Sequence, residues 1–535
     1  MSTLLLLVII IFPTLFQESR STETTDDVMK VESIGTSRGG RQMELVVLAD
    51  PPEKADQRPG ILIVAGLDGR HELGSKLARG IAEGLAEDHR ELLSETTFYI
   101  LPLANPDARA DGNRRGSSRL IDQDRDGILD EDPPRDLDGN GIITMMRRAN
   151  PPLEDKATHL ADPADGRLMI KPDHGKGEQA THSMHVEGLD ADGDGLIAED
   201  GMEGVDLDRN FMHRWPEYAL DAGPYQLSEY ETRAISRFVI DHPNLIAAVV
   251  YGPHDNLINQ PDSKSMDITG RTPKELLGKD KDDHQKASDR YKELVGQERS
   301  AKKDDAGSLH GWLYAHRGLP THASTGWGRP DPSEPEAEPG EDPEAGVDER
   351  PEPRDKEEAA WLAYSDRDRD GVGFIEWTAY DHPQLGMVEI GGWVPGFRMN
   401  PPDDVVAELI PRHTTWIADI ADRQARLKVI GPEIESLGGG LARVRIGLQN
   451  TGLSPTRTHQ AVKTRVGRPI NVRIGIPPEQ LVQGRLLEQI ERIDPGELVT
   501  REWMVRLGPD RMVSIDIDDQ AIGRITVANT MENDS

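Results

Sequence analysis

Three short apolar runs, with a helix-period segment between the last two, constrain this fold more than any other feature of the chain. Residues 43–50 (MELVVLAD), 60–66 (GILIVAG) and 97–105 (TFYILPLAN) are bounded by Gly, Pro and Asp and read as buried strands. Leu73, Leu77, Ile81 and Leu85 recur every four residues, so they share one face of a helix. A second helical pattern over 227–241 leads into the strand 245–251 (LIAAVVY). Strands that alternate with helices predict an α/β fold, with a mixed central sheet and helices on both faces. The strand 386–391 (GMVEIG) and a helix near 403–426 close this region.

From about residue 430 the period changes to two. Val444, Ile446 and Leu448 alternate with Arg443, Arg445 and Gly447, and Val513, Ile515 and Ile517 repeat the pattern. This predicts an all-β, sandwich-like C-terminal module over 429–535. The α/β domain then covers 22–428, interrupted at 329–358 by a stretch rich in Pro and Glu. That stretch is nearly free of large apolar residues and cannot offset its own ordering entropy, so it reads as a disordered acidic insertion. At the other end, Leu4 to Phe16 is almost wholly apolar but short of the roughly 20 residues that span a bilayer. With small residues at Ser19 and Ser21, segment 1–21 reads as a signal peptide, and the location as secreted or periplasmic. A loosely anchored N-terminal helix is the other reading. No later segment predicts a membrane span.

Charge and cysteine count exclude several function classes. With 62 Lys and Arg against 96 Asp and Glu, the net charge is −34. Nucleic acid and anionic membrane surfaces need a basic face, so neither is an expected partner. The chain has no cysteine. That removes disulfides, thiolate zinc sites and cysteine nucleophiles, and leaves any metal to His, Asp, Glu or backbone oxygen.

Four segments place acidic residues at every second position before a Gly: 122–127 (DQDRDG), 136–141 (DLDGNG), 190–195 (DADGDG) and 366–371 (DRDRDG). Alternate side chains in a tight loop converge, and Gly permits the turn that wraps oxygen ligands round Ca²⁺. The candidate calcium ligands are Asp122, Asp124, Asp126, Asp190, Asp192 and Asp194. The closing Glu of a regular calcium loop is missing, and Pro133, Arg147, Gly201 and Trp377 stand there instead. Solvated acidic turns are the alternative.

Read in order, the strand-end motifs resemble the zinc carboxypeptidases, the carboxypeptidase A-like metallopeptidases. Residues 62–75 (LIVAGLDGRHELGS) lie where the family carries His-x-x-Glu, and 101–107 (LPLANPD) resembles its Pro-x-x-Asn-Pro-Asp segment. Residues 204–211 (GVDLDRNF) resemble Gly-Val-Asp-Leu-Asn-Arg-Asn-Phe, and 307–318 (GSLHGWLYAHRG) resembles the segment before the catalytic glutamate. The strand 245–251 followed by His254 and Pro261 resembles the one that carries the third zinc ligand. Residues 374–392 (FIEWTAYDHPQLGMVEIGG) resemble a bacterial secreted subgroup. The resemblance covers roughly 40–425. It implies a secreted peptide or amide hydrolase with zinc on two His and one Glu, a glutamate base, and an Arg with an Asn-Arg pair for the substrate carboxylate.

Carried onto this chain, the resemblance implies zinc on Asp68, His71 and His254, with the two ligand types of the first motif exchanged. Counting in register puts Gly252, not His254, at the third ligand position. Thr325 stands where the base belongs, and Thr accepts no proton near neutral pH; Glu389 is the substitute. Arg114, Arg115, Arg209 and Asn210 are the candidates for the substrate carboxylate, and Asp208 replaces the family's Asn. Each residue also has a structural reading. Asp68 suits a helix N-cap, His71 a helix start and His254 a loop, while Asp208 and Arg209 suit an ion pair. The expected function is a zinc metallocarboxypeptidase-like hydrolase acting on a peptide or cell-wall-derived substrate. The alternative is an inactive relative that binds peptide, glycan or cell-wall material.

Overall fold

A computed structural model describes residues 27–110, 116–122, 129, 132–191, 193–198, 204–334, 351–508, 511–519 and 523–530. Among the sequence-based expectations, the signal peptide, Arg114, Arg115, Asp124, Asp126, Asp192 and positions 335–350 of the insertion lie outside the described residues.

The chain opens with strands β1 (Met29–Thr36), β2 (Gln42–Leu48) and β3 (Gly60–Ala65), helix α1 (Glu72–Asp88), strand β4 (Thr97–Leu101) and helix α2 (Pro106–Ala110). Strands β5 (Met145–Ala149), β6 (Leu160–Ala161), β7 (Met169–Ile170) and β8 (His182–Val186) follow. Next come α3 (Tyr230–Asp241), β9 (Leu245–Tyr251), α4 (Lys281–Val295), α5 (Leu309–Arg317) and β10 (Thr321–Ser324). Helix α6 (Lys356–Asp368), β11 (Phe374–His382), β12 (Gly386–Trp393) and α7 (Asp403–Asp422) complete the larger domain.

The central sheet has the order β1-β2-β4-β3-β9-β10. Its first pairings are antiparallel, whereas β4, β3, β9 and β10 run parallel, so the sheet is mixed as expected. Residues of α1, α4 and α7 pack on one face, where Leu73, Leu77, Ile81 and Leu85 meet Ile61, Ile63, Trp416 and Ile417. On the other face Ile235 and Phe238 of α3 and Leu309 and Trp312 of α5 cover Leu62, Val64 and Val250. Parallel strands buried on both faces need apolar side chains at every position, which is why β3 and β9 read as unbroken apolar runs. This is an α/β fold built on a mixed central sheet.

A second sheet, in the order β11-β12-β5-β8, was not legible as a sheet in the sequence. Its strands β5 (MMRRA) and β8 (HSMHV) are half polar. The ends of the Pro/Glu insertion also depart from expectation. Arg329 is buried and pairs with Glu357 at 2.7 Å, and Asp355 caps α6 through the backbone N–H groups of Glu357 and Glu358. Positions 329–334 and 351–358 are therefore ordered flanks, held by charge and capping and not by apolar burial.

The C-terminal part contains β13 (Leu427–Gly438), β14 (Leu441–Asn450), α8 (His459–Thr464), β15 (Ile470–Ile474), β16 (Leu481–Gln483), β17 (Leu487–Ile490), β18 (Leu498–Arg506), β19 (Met512–Asp519) and β20 (Gly523–Thr530). Two four-stranded sheets, β13-β14-β18-β16 and β17-β15-β19-β20, enclose one core. Val444, Ile446 and Leu448 face Val513, Ile515 and Ile517 there, as the alternation predicts.

Candidate functional site

Asp68 and His71 stand in the turn between β3 and α1, and both are buried. The helix is capped by His71, not by Asp68: the ring Nδ1 accepts the Gly74 backbone N–H at 3.3 Å. The ring Nε2 lies 3.2 Å from the Thr325 carbonyl, which can only accept, so Nε2 carries the hydrogen. One tautomer satisfies both bonds, and the Nδ1 lone pair is taken up by the Gly74 N–H. Burial pushes the His71 pKa down, which favours this neutral form. Asp68 is committed as well, accepting the Arg70 backbone N–H at 2.9 Å with the Arg70 guanidinium at 3.4 Å.

His254 sits past the end of β9 and is also buried. Its Nδ1 lies 2.8 Å from the Asp208 carboxylate and its Nε2 3.0 Å from the Asp304 carbonyl. Burial opposes a charge on His254, but Asp208, Asp206 and the Asp304 carbonyl together raise the pKa. Burial likewise pushes the Asp208 pKa up, and His254, His310 and the Leu309 N–H together bring it below its ordinary value. The two form an ion pair in which His254 donates from both nitrogens. Gly252, in register with the family's third ligand, offers no side chain; a Cβ there would come within 3.9 Å of Asp208.

The expected zinc set is thus not assembled. His71 and His254 border different cavities: His71 a cleft of about 850 Å³, His254 a smaller chamber of about 150 Å³. Among the described residues, the one group of three candidate ligands with donor atoms within 4.8 Å of one another is Asp136, Asp138 and Glu187. A zinc ligand must present a lone pair or a free carboxylate oxygen. These histidines offer neither nitrogen, so the residues do not fit zinc at this place.

The substrate residues fare similarly. Arg209 is held by Asp221 at 3.1 Å and Asp304 at 3.8 Å. Asn210 is fully buried; its amide donates to Ala222 and Tyr225 carbonyls and its oxygen accepts from Thr232, so it pins the chain and does not face a ligand. Glu389 lies on β12 of the second sheet, 2.8 Å from Arg147, away from the base position. Thr325 keeps its hydroxyl between Gln297 and the Trp327 carbonyl. In the acidic loops, Asp190 accepts the backbone N–H groups of Gly193 and Gly195, and Asp194 accepts that of Leu196 in an Asx turn. Asp122 is described only partly buried. The convergent acidic group lies instead on the 136–141 loop with the buried Glu187, which the spacing alone did not single out.

Sequence reasoning missed the residues that complete the surroundings of His254. His310 stacks obliquely on it with ring centres 5.6 Å apart, and Asp305 pairs with His310 and Arg214. His284 and His322 line the same chamber, and burial takes His322 down to about 3. No local pattern marks these residues, because the fold gathers them from four separate segments.

Residues 19–125 match the profile of the family described as zinc carboxypeptidase, and 426–530 match one described only as a domain of unknown function. No curated protein matches. Among solved structures, bovine thrombin-activatable fibrinolysis inhibitor in complex with tick carboxypeptidase inhibitor is similar at 12% identity and TM-score 0.35, over 75% of this chain and 91% of that one. Carboxypeptidase A from Helicoverpa armigera is similar at 13% identity and TM-score 0.31, over 56% of this chain and 60% of that one. A metallo-carboxypeptidase from Burkholderia cenocepacia follows at 14% and 0.29, over 55% of each chain.

Proposed function

We propose, from the zinc carboxypeptidase resemblance of its N-terminal part, that the protein engages peptides in the cleft beside His71 and Thr325 and does not hydrolyse them by the zinc route. One observation carries this reading: every ring nitrogen of His71 and His254 is already bonded to protein. The residue at the base position is Thr325, which supports the same conclusion. Metal analysis of the purified full chain, run beside hydrolysis of a peptide panel, tests it. Zinc well below one equivalent with no cleavage supports the reading. Stoichiometric zinc with cleavage overturns it.

The family match favours a second reading, a peptide hydrolase that draws zinc onto Asp68, His71 and His254 by breaking those bonds. Asp68→Ala and His71→Ala would then abolish both zinc and cleavage. Two further proposals stand beside it. Segment 1–21 directs export, to be checked by finding the mature N-terminus near residue 22 in secreted protein. Calcium occupies the acidic loops, to be checked by a melting temperature that rises with Ca²⁺ and returns with chelator; an unmoved one overturns it. Among the described residues no helix is long and apolar enough to cross a membrane.

A further inference from the structure

The β module closes a small chamber against the central sheet, at the end away from His71. The chamber lies at the start of β9, by Leu245 and Ala247, whereas His254 follows the other end of that strand. Its volume is about 150 Å³. Val239, Leu319 and Ile420 of the α/β domain and Pro455 and Val466 of the β module give it apolar walls. A volume of this order holds one six-membered ring.

The charge of the lining is one-sided. Of the 535 residues in the chain 96 are Asp or Glu, yet neither type lines this chamber. Three arginines do: Arg317, Arg457 and Arg468. Arg457 is committed, pairing with Glu491 at 2.9 Å and donating to the Ala461 and Val466 carbonyls. The guanidinium groups of Arg317 and Arg468 make no ion pair or hydrogen bond among the described residues. Arg468 is exposed at the rim, and Arg317 is half-buried with its Nε sealed from solvent. Burial pushes the Arg317 pKa down, and no carboxylate offsets it. Arg317 ends α5, and a helix C-terminus favours a cation. That accounts for a charge at this position, but not for a lining without counter-ions on so acidic a chain.

We propose that this chamber binds a small organic carboxylate whose apolar body is a single ring. The carboxylate pairs with the planar fork of Arg317, a geometry that suits two parallel hydrogen bonds. Arg468 approaches from the solvent side. The ring buries against walls from both parts of the protein, so the bound acid ties the β module to the α/β domain. An inorganic anion forfeits the apolar walls, and a neutral ring leaves Arg317 without its counter-charge. The site is separate from the cleft beside His71 and Thr325 and does not depend on the peptide reading.

Titration calorimetry of the full chain with benzoate, benzamide and inorganic phosphate tests the proposal. Benzoate is expected to bind at least about tenfold more tightly than benzamide or phosphate. It is also expected to raise the melting temperature. Arg317→Gln is expected to weaken benzoate binding about tenfold or more and to leave benzamide as it was. The variant is expected to keep the wild-type circular dichroism spectrum, because the guanidinium has no protein partner to lose. Equal binding of benzoate and benzamide overturns the proposal, as does phosphate binding more tightly than benzoate. Benzoate affinity unchanged in Arg317→Gln, or no binding of any probe, overturns it too. None of these outcomes bears on the peptide reading.

Discussion

The Asp208 carboxylate and the His254 Nδ1 lie 2.8 Å apart, both nearly sealed from solvent. A buried carboxylate needs a cation, and the histidine supplies it. Breaking such a pair from one side strands the other charge. His254→Ala is therefore expected to cost about 3–5 kcal/mol in urea unfolding. The double variant with Asp208→Asn is expected to recover part of that loss.

The same pair sets a pH window. His254 has a raised pKa in the folded protein, so its contribution is full below the ordinary 6.5 and is lost as pH rises through the folded value. Asp208 has a lowered pKa, so its contribution is full above the ordinary 3.8 and is lost as pH falls through the folded value. The stability difference between wild type and Asp208→Asn is expected to be largest between 3.8 and 6.5. Melting temperatures of the two proteins across that range check it; a difference that grows steadily above neutral pH would contradict the assigned charges.

His71 caps α1 and ties that helix to Thr325 at the end of β10. His71→Ala removes both contacts, at a cost of about 2 kcal/mol by thermal or urea unfolding. Metal content is expected to stay as it was. A fall in bound zinc in this variant would restore His71 as a ligand.

Glu187 is completely buried and accepts the backbone N–H groups of Leu137 at 2.6 Å and Thr144 at 2.8 Å. It closes the acidic 136–141 loop onto the start of β5. Glu187→Ala leaves the buried Thr144 donor and the half-buried Leu137 donor unpaired, so a loss of about 2 kcal/mol is expected even with chelator present. A loss seen only in the presence of Ca²⁺ would assign Glu187 to an ion rather than to the loop.

What the sequence made legible was local and periodic. Leu73, Leu77, Ile81 and Leu85 all reach the core, as do the alternating residues of β14 and β19, because burial of one face is written in spacing. The site was legible only as a set of positions. Whether His71 holds a metal or caps a helix depends on Thr325, 254 residues away along the chain. The pairing of Asp208 with His254 spans 46 residues. The second sheet escaped for a different reason: Arg147 and Arg148 of β5 and His182 and His185 of β8 break the apolar alternation that marks a half-buried strand.

The two parts of the protein meet at Asp280, just before α4. Its buried carboxylate accepts the N–H groups of His459 at 2.7 Å and Gln460 at 3.0 Å in the first turn of α8, and the Tyr314 hydroxyl at 2.8 Å. Arg492 of the β module approaches the same carboxylate at 3.8 Å and pairs with Asp283 at 2.8 Å. One side chain thus satisfies donors from both parts. Burial and the nearby Asp280 charge also raise the Tyr314 pKa, so the hydroxyl stays a donor throughout the neutral range. Asp280→Ala leaves these donors unpaired, at an expected cost of about 2–3 kcal/mol. The cost falls on the contact between the parts and not on either core. Calorimetry is therefore expected to show one transition for the wild type and, for this variant, the β module melting separately from the α/β domain. A variant that still melts in one transition at the wild-type temperature would show that Asp280 does not couple them.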